Sequence, residues 1–371
     1  MTISKSMKAV VFHDKYDIRT EIKDVPKIQN ENDAILKVSY SGVCGTDLHS
    51  YRGHIKGPTG TIIGHEFLGE IVEIGSNVTK FKVGDSVLSN FTIQCGECWY
   101  CKHGYSGQCV ITNTFGKIGL DGGQAEYVRV PYAENTLIKK PENKGSESEV
   151  DDSIYLLMAD IFVTGYYGVK KIIDFLSINP TATIKAQDFS KSTILQIGAG
   201  PVGLCATRVL KHFGFKNIVV VDSVPSRLNE AIKFGATKVI NFETESNELS
   251  RYIEQETNGI GFDAVLEAVG ASSAQRTAFD SVRRNGLISS LGMGHTDLPF
   301  TSLDCYLKNV NISFGRCHAA SLFHESLEIF EHVKNDFKDF IDYKTSIDNS
   351  KEAFDLFDKH KVNKVIFDLT K

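Results

Sequence analysis

Four cysteines occupy one short segment of the chain at spacings typical of metal ligands. They are Cys95, Cys98, Cys101 and Cys109, in the pattern C-x2-C-x2-C-x7-C. A tetrahedral zinc ion binds four thiolates at about 2.3 Å, and loops with two intervening residues bring such ligands together. Unrelated cytosolic thiols and an iron–sulfur cluster are the alternatives. Because a four-cysteine site leaves no open coordination position, we expect a structural rather than a catalytic zinc ion.

Two glycine-flanked segments upstream carry a second set of metal-binding residue types. The first segment contains Cys44 and His49, and the second contains His65 and Glu66. A catalytic zinc ion has three protein ligands and keeps one position for water or substrate. The alternative is that these are buried structural residues, because a single cysteine or histidine more often has that role than the role of a ligand.

A glycine-rich motif in the second half of the chain predicts a dinucleotide site. Gly198, Gly200, Pro201, Val202 and Gly203 belong to a G-x-G-x-x-G pattern that follows an apolar run and opens a helical segment. The first glycine permits a tight turn, the second allows the backbone to approach a pyrophosphate, and the third allows close helix–strand contact. The helix N-terminus then binds phosphate charge.

An acidic residue ends the next apolar run, 19 residues beyond Gly203. A carboxylate at this place, Asp222, accepts hydrogen bonds from the ribose hydroxyls of a bound cofactor and repels a 2′-phosphate. The motif therefore predicts NAD in preference to NADP. A flavin or a different nucleotide is the alternative.

The elements that must position these residues follow two patterns. The first 150 residues are rich in period-two alternation and glycine turns, with strands expected at 34–40, within 69–74 and at 85–88. Six short apolar runs then alternate with helical segments, which predicts a doubly wound parallel sheet. These runs are 193–197, 218–221, 238–241, 262–268, 287–291 and 310–314. The acidic stretch 142–153 is expected to be a solvated loop, and the tail adds a helix and a strand at 364–369.

The bulk properties exclude several classes of protein. A length of 371 residues favours two domains. A net charge of −5 without a basic run argues against nucleic acid as a partner. There is no apolar run of about 18 residues to cross a membrane and no signal-peptide pattern near the start. We therefore expect a cytoplasmic protein with reduced cysteines.

These segments together resemble the zinc-containing medium-chain alcohol dehydrogenases, and the similarity spans nearly the whole chain. The resemblance implies that Cys44 and His65 bind a catalytic zinc ion. Thr46 takes the position that accepts the substrate proton, and His49 the position that passes it to solvent through the cofactor ribose. Asp47 resembles the carboxylate that orients the ligating histidine, and Glu66 the acidic residue that approaches the metal transiently.

The third ligand departs from part of the family. Many members have a cysteine there, whereas this chain has Asp160 in the segment Met158–Tyr166. In this respect it is similar to glutathione-independent formaldehyde dehydrogenases and bacterial secondary-alcohol dehydrogenases. Carboxylate oxygen is an acceptable zinc ligand. The alternatives are that Asp160 caps a helix starting near Ile161, or that Glu66 is the third ligand.

Three further residues match family positions. Phe91 takes the place of an aromatic residue that narrows the substrate pocket, although core packing explains it equally well. Arg227 resembles a basic residue beside the adenosine ribose, or is a solvated helix residue. Lys364 matches a basic position near the cofactor pyrophosphate. The segment 170–191 is longer than is usual in the family, and we assign it no role.

The resemblance implies an α/β two-domain fold. Residues 1–165 and 316–371 are expected to form a GroES-like β-rich catalytic domain with both zinc sites, and residues 166–315 a Rossmann domain, with the active site in the cleft between them. The implied reaction transfers hydride between small alcohols and NAD, giving an aldehyde or a ketone. Alternatives are a formaldehyde dehydrogenase or dismutase, a polyol dehydrogenase, and a non-catalytic NAD-binding redox sensor. We expect a small-molecule substrate and a homo-oligomer, either a tetramer or a dimer.

Overall fold

The computed structural model describes residues 4–142, 150–178 and 188–371, which divide into two compact units. The first unit combines the chain up to Asp160 with His318–Lys371, and the second is Ile161–Cys317. The predicted boundaries were 165/166 and 315/316, and the structure has them at 160/161 and 317/318. The expected loop at 142–153 and the long segment 170–191 lie partly outside the described residues.

The N-terminal part of the first unit is mostly β-structure. Its strands are β1 (Ser6–Asp14), β2 (Asp17–Asp24), β3 (Ala34–Val43), β4 (Phe67–Ile74), β5 (Ser86–Ser89), β6 (Tyr127–Val130) and β7 (Leu137–Lys139). Its helices are α1 (Gly45–Tyr51), α2 (Trp99–Lys102) and α3 (Ala133–Thr136). These helices have seven, four and four residues. Because they are so short, they leave no helical periodicity in this part of the sequence.

The second unit alternates helices and strands. Its elements are α4 (Ile161–Ile178), β8 (Thr193–Ile197), α5 (Pro201–His212), β9 (Asn217–Asp222), α6 (Pro225–Phe234), β10 (Lys238–Asn241), α7 (Glu248–Glu256), β11 (Phe262–Glu267), α8 (Ser272–Ser281), β12 (Val282–Ser290), α9 (Ser302–Lys308) and β13 (Asn311–Phe314). Proline opens α5 and α6, where its fixed φ suits the first helical turn and its missing N–H costs nothing.

The C-terminal segment completes the first unit. It contains α10 (Ala319–Val333), β14 (Tyr343–Thr345), α11 (Ser350–Asp358) and β15 (Val365–Asp368). None of the helices in the described ranges combines the length and apolarity needed to cross a bilayer.

In the part of the chain that the structure describes, the first unit is built on a seven-stranded sheet. The strand order is β14-β15-β3-β4-β5-β7, and β6 pairs with β3. β1 and β2 form a separate antiparallel hairpin. Alternate residues of β3 and β4 are buried in an apolar core with Phe115 and Val128. β3 therefore fixes the position of the residue that follows it, which is Cys44.

The second unit is a six-stranded parallel sheet with the order β10-β9-β8-β11-β12-β13. β8, β9 and β11 are almost entirely buried, as expected for strands covered on both faces. The strand order reverses between β8 and β11. In doubly wound sheets the ligand crevice lies at the carboxyl ends of the strands, at this reversal.

Candidate active site and metal centres

Two local features bring Cys44 and His65 to the same buried place. Cys44 is the N-cap of α1, and its backbone N–H donates to Asp47 Oδ2 at 3.0 Å. His65 follows Gly64, whose φ of +96° lies in the left-handed region. A Cβ on Gly64 would come within 2.4 Å of Gln124 Cγ, so this turn requires glycine. The resulting side chains are 7% exposed for Cys44 and 2% exposed for His65.

The buried cluster has the dimensions of a tetrahedral zinc site. The candidate ligand atoms of Cys44, His65, Glu66 and Asp160 all lie within 4.8 Å of one another. Cys44 Sγ is 3.6 Å from Asp160 Oδ2, and His65 Nε2 is 3.3 Å from the same oxygen. Zinc bond lengths predict about 3.6 Å between sulfur and oxygen ligands and about 3.4 Å between nitrogen and oxygen ligands. The donor set and its spacing therefore fit zinc, with Asp160 directed into the cluster.

Asp47 and the cluster give His65 an anionic environment. Asp47 Oδ1 lies 3.4 Å from His65 Nδ1. Burial alone would lower the pKa of His65, but Asp47, Cys44 and Asp160 outweigh it and raise that pKa well above its ordinary value. Burial would raise the pKa of Asp47, yet His65 and the Cys44 N–H hold it below the usual range. So much buried negative charge is what a bound cation would neutralise.

Glu66 forms a buried ion pair with Lys364 beside the cluster. Both side chains are 0% exposed, and the Lys364 ammonium donates to Glu66 Oε2 and, at 3.1 Å, to the Val43 carbonyl. Within the described chain, Glu66 Oε1 accepts no hydrogen bond, which leaves it available to approach a metal. The expectation that Lys364 lies near the cofactor pyrophosphate stays a prediction; within the first unit its ammonium is buried and paired with Glu66.

The two residues expected to carry a proton lie on one face of α1. Thr46 and His49 are three residues apart, so their side chains are neighbours on the helix surface. Thr46 Oγ1 is 3.8 Å from Cys44 Sγ, and both Thr46 and His49 are partly exposed. Phe91 is 8% exposed and its ring centroid is 6.5 Å from that of His65. This aromatic ring therefore lies beside the metal-binding cluster.

The four-cysteine segment forms a second, separate cluster. All four sulfur atoms lie within 4.8 Å of one another, with Cys95–Cys109 at 3.5 Å and Cys98–Cys109 at 3.9 Å. A tetrahedral zinc–thiolate site requires about 3.8 Å between sulfur atoms. Backbone N–H groups of Cys101 and Val110 lower the pKa of the Cys98 thiol to about 6, which favours the thiolate that zinc binds.

The glycine motif has the close approaches that the fingerprint requires. Gly198 has a φ of +95°, and a Cβ on Gly203 would lie 2.2 Å from the Gly198 carbonyl oxygen. A Cβ on Gly200 would meet nothing within 4 Å, so this backbone faces open space. α5 begins with Pro201 and Val202, and its N-terminal N–H groups lack intrahelical acceptors. This open, positively polarised turn fits a pyrophosphate.

Asp222 links the glycine turn to β9. Its Oδ2 accepts the Ala199 N–H at 2.7 Å and its Oδ1 accepts the Val224 N–H at 2.9 Å. Each oxygen retains a lone pair for a further donor. Arg227 is the third residue of α6 and is partly exposed. The acidic group and the glycine turn are thus held together at the carboxyl edge of the parallel sheet.

The sequence analysis did not identify two buried polar residues, Gln124 and Glu267. Gln124 is fully buried, and its Nε2 donates to the Gly42 carbonyl at 3.0 Å and to Asp47 Oδ2 at 3.5 Å. Glu267 is fully buried at the end of β11. The available signals were the two glycines before Gln124 and a charged residue that closes an apolar strand.

Comparison with known proteins agrees with this arrangement. The alcohol dehydrogenase GroES-like domain matches residues 30–142 and the zinc-binding dehydrogenase domain matches residues 201–332. A zinc-type alcohol dehydrogenase B of Aspergillus flavus is 41% identical over 367 residues, covering 99% of this chain and 82% of that protein. A formaldehyde dismutase of Pseudomonas putida is 32% identical over 343 residues, covering 85% of this chain and 82% of that one.

The solved structure of an alcohol dehydrogenase from Thermus sp. ATN1 has a TM-score of 0.84 at 29% identity, covering 97% of this chain and 99% of that one. The fold therefore has close counterparts in one class of oxidoreductase. The chain belongs to the zinc-containing medium-chain alcohol dehydrogenase family. This confirms the expected combination of a GroES-like domain with a Rossmann domain.

Proposed function

We propose that the protein is an NAD-dependent zinc alcohol dehydrogenase that converts small alcohols to aldehydes or ketones, and the reverse. The observation that carries this proposal is the buried cluster of Cys44, His65 and Asp160 with the Thr46 hydroxyl beside it. A zinc ion bound by these three residues would supply a Lewis acid for the substrate oxygen.

The chain's own residues then hold the site and move a proton. Asp47 keeps the His65 ring oriented, so that Nε2 faces the cluster. Thr46 Oγ accepts the proton of the substrate hydroxyl, and His49, one turn further along α1, passes it to solvent. The Phe91 ring lies beside His65 and limits the width of substrate that fits there.

We propose NAD as the cofactor, and its nicotinamide ring would accept the hydride. The glycine turn before α5 would hold the pyrophosphate, and Asp222 would accept hydrogen bonds from the adenosine ribose. A 2′-phosphate would be repelled by the Asp222 carboxylate, which supports NAD over NADP. Arg227 lies on the helix that follows and would reach the same ribose.

We propose two zinc ions per chain. The support is the presence of two separate clusters, the four cysteines of one and the cysteine–histidine–carboxylate set of the other. The first would be structural, since all four of its positions are filled by thiolates.

Formaldehyde dismutation is the second candidate function. The formaldehyde dismutase relative and the carboxylate at position 160, in place of a cysteine, favour it. In that reaction one formaldehyde adds water, and its hydrate is oxidised to formate with transfer of a hydride to the cofactor. The reduced cofactor returns the hydride to a second formaldehyde, giving methanol, so no net NADH accumulates.

A steady-state screen tests both candidates. The purified protein is incubated with NAD and with primary, secondary or polyhydric alcohols, and NADH absorbance is followed. We expect NADH with at least one simple alcohol, and no turnover by Thr46→Ala, while Thr46→Ser retains part of the rate. Production of formate and methanol from formaldehyde, with no accumulation of NADH, would establish the dismutase instead. Bound NAD and zinc without turnover of any substrate would favour a non-catalytic sensor.

We also propose a cytoplasmic homo-oligomer with small-molecule substrates. All eight cysteines are free, which suits a reducing compartment. Among the described strands, β13 is an edge strand of its sheet. The helix that precedes it, α9, carries Leu303, Tyr306 and Leu307, each more than 60% exposed, which a second subunit would cover. Sedimentation of the purified protein at several concentrations tests this, and a monomer at all of them would contradict it.

A further inference from the structure

Glu267 is a buried acidic residue at the end of a strand of the second unit. It is the last residue of β11 and is 0% exposed. In the described part of the chain no lysine, arginine or histidine forms an ion pair with it. A buried carboxylate normally carries a cost unless it is hydrogen-bonded or paired with a positive charge. We therefore examine the hydrogen bonds that stabilise the buried carboxylate of Glu267.

The carboxylate of Glu267 only accepts hydrogen bonds. Oε1 accepts the backbone N–H groups of Val269 and Gly270, each at 2.7 Å, and Oε2 accepts the Ser290 hydroxyl at 2.8 Å. An ionised carboxylate has this acceptor-only character. The Glu267 carbonyl also accepts the Leu291 N–H at 2.7 Å. Glu267 thus fixes the segments that follow β11 and β12 at their carboxyl ends.

These segments lie at the point where the strand order of the second unit reverses. Glu267 is level with Ile197, the last residue of β8. A Cβ on Gly198 would meet Val269 Cγ2 at 2.7 Å, so the loop after β11 touches the glycine turn. Asp222, at the end of β9, marks the adenosine side of this turn. A dinucleotide whose pyrophosphate lies on the turn must extend its other nucleoside toward the ends of β11 and β12.

We propose that Glu267 favours binding of the oxidised cofactor, because its buried negative charge attracts the positively charged nicotinamide ring of NAD⁺ but not the neutral ring of NADH. This inference rests on the proposed function, which assigns NAD to this crevice. Glu267 is a positioning residue for the two loops as well as a source of charge. The two roles are separable, since loss of position weakens both cofactor forms equally and loss of charge weakens only NAD⁺.

Two variants distinguish charge from shape. Glu267→Gln keeps the length of the side chain, and its amide oxygen still accepts the two N–H groups while its NH₂ donates to Ser290. Glu267→Asp keeps the charge but shortens the side chain. Glu256→Gln removes an exposed carboxylate from the end of α7, which precedes the amino end of β11, and serves as the matched control.

Dissociation constants for NAD⁺ and NADH are measured by calorimetry on each zinc-loaded protein, with melting temperatures to verify folding. We expect Glu267→Gln to raise the ratio Kd(NAD⁺)/Kd(NADH) roughly tenfold, as for unit charges on the order of 10 Å apart at an effective dielectric constant of about 20. The ratio should stay within about twofold of the unmodified value in Glu267→Asp and Glu256→Gln.

An unchanged ratio in folded Glu267→Gln would overturn the proposal, even if both affinities fell, because that result indicates a purely structural role. A ratio that rises equally in Glu267→Asp would also overturn it. If the unmodified protein bound neither NAD⁺ nor NADH, the cofactor assignment itself would fail. That failure is recognised before any variant is compared.

Discussion

Replacing Asp160 separates its two possible roles most sharply. The carboxylate lies 3.6 Å from Cys44 Sγ and 3.3 Å from His65 Nε2, and it also directly precedes α4. As a zinc ligand, it needs its charge. As a helix cap, it needs only an acceptor oxygen, and asparagine is as good a cap as aspartate. The pair Asp160→Ala and Asp160→Asn therefore gives different results under the two roles.

The expected magnitudes follow from the cluster. Without Asp160 a zinc ion at this site would retain Cys44 and His65, and the nearest replacement ligand would be Glu66, which is held by Lys364. We expect the zinc content to fall from two ions to one in both variants. If Lewis-acid stabilisation contributes about 4 kcal/mol to the transition state, turnover falls on the order of a thousandfold. Asp160→Cys should retain the metal and part of the activity, because thiolate also suits tetrahedral zinc.

The assay combines elemental analysis, NADH formation from an alcohol and calorimetric titration with NAD. The second unit carries the glycine turn, so NAD should still bind to all three variants. Cys98→Ala provides the matched control, since it should lose the other zinc ion. The ligand assignment would be refuted by an Asp160→Asn protein that keeps two zinc ions and near-normal turnover. Glu66 would then become the leading third ligand.

Three further predictions concern the remaining groups. Lys364→Met should lower the free energy of unfolding, measured in urea, by about 3–5 kcal/mol because it leaves Glu66 buried and unpaired. Adding Glu66→Gln should recover most of that loss. A Lys364→Met protein as stable as the unmodified one would contradict the buried pair. Asp222→Ser should raise the rate with NADP relative to the rate with NAD roughly tenfold, because it removes repulsion of the 2′-phosphate. An unmodified protein that already prefers NADP would disprove this role of Asp222. Backbone N–H groups depress the folded pKa of Cys98 to about 6, so in metal-free protein the stabilisation from its thiolate is complete above the ordinary thiol pKa and is lost as the pH falls through about 6. The rate at which iodoacetamide alkylates Cys98 in metal-free protein, followed by mass spectrometry, should fall over that range, and a rate that falls only near the ordinary thiol pKa would argue against this.

The parallel sheet was predictable because its strands are buried on both faces. The apolar run at 193–197 coincides with β8, and the run at 262–268 differs from β11 by one residue. β12 begins at Val282 rather than 287, because Arg283, Arg284 and Asn285 interrupt the apolar pattern near its start. The hairpin strand β2 was not predicted, since it is polar and mostly part-exposed, which leaves little hydrophobic pattern.

The site was predictable where its chemistry is local. Short motifs hold Cys44 with Asp47, and the four cysteines with one another. Residue spacing alone indicated the four-cysteine group, whereas the roles of Cys44 and Asp47 were assigned through the family resemblance. The Lys364–Glu66 pair joins residues 298 positions apart, and only the register of β15 against β3 brings them together. Spacing therefore gave no sign that Lys364 pairs with Glu66. The acceptor role of Glu267 likewise depends on the neighbouring strand, which contributes Ser290.

The pairing of β15 with the end of β3 imposes an order on folding during protein synthesis. Residues 40–43 of β3, just before Cys44, hydrogen-bond to a strand made from residues 365–368. Until residues 365–368 have been translated this edge stays open, and the second unit, whose residues all leave the ribosome earlier, has time to fold first. The cysteine–histidine–carboxylate pocket then acquires Lys364 only after residue 364 has been translated. A nascent chain stalled shortly before residue 364 would therefore expose an unpaired strand edge and an uncompensated Glu66, two features that favour aggregation and recognition by chaperones.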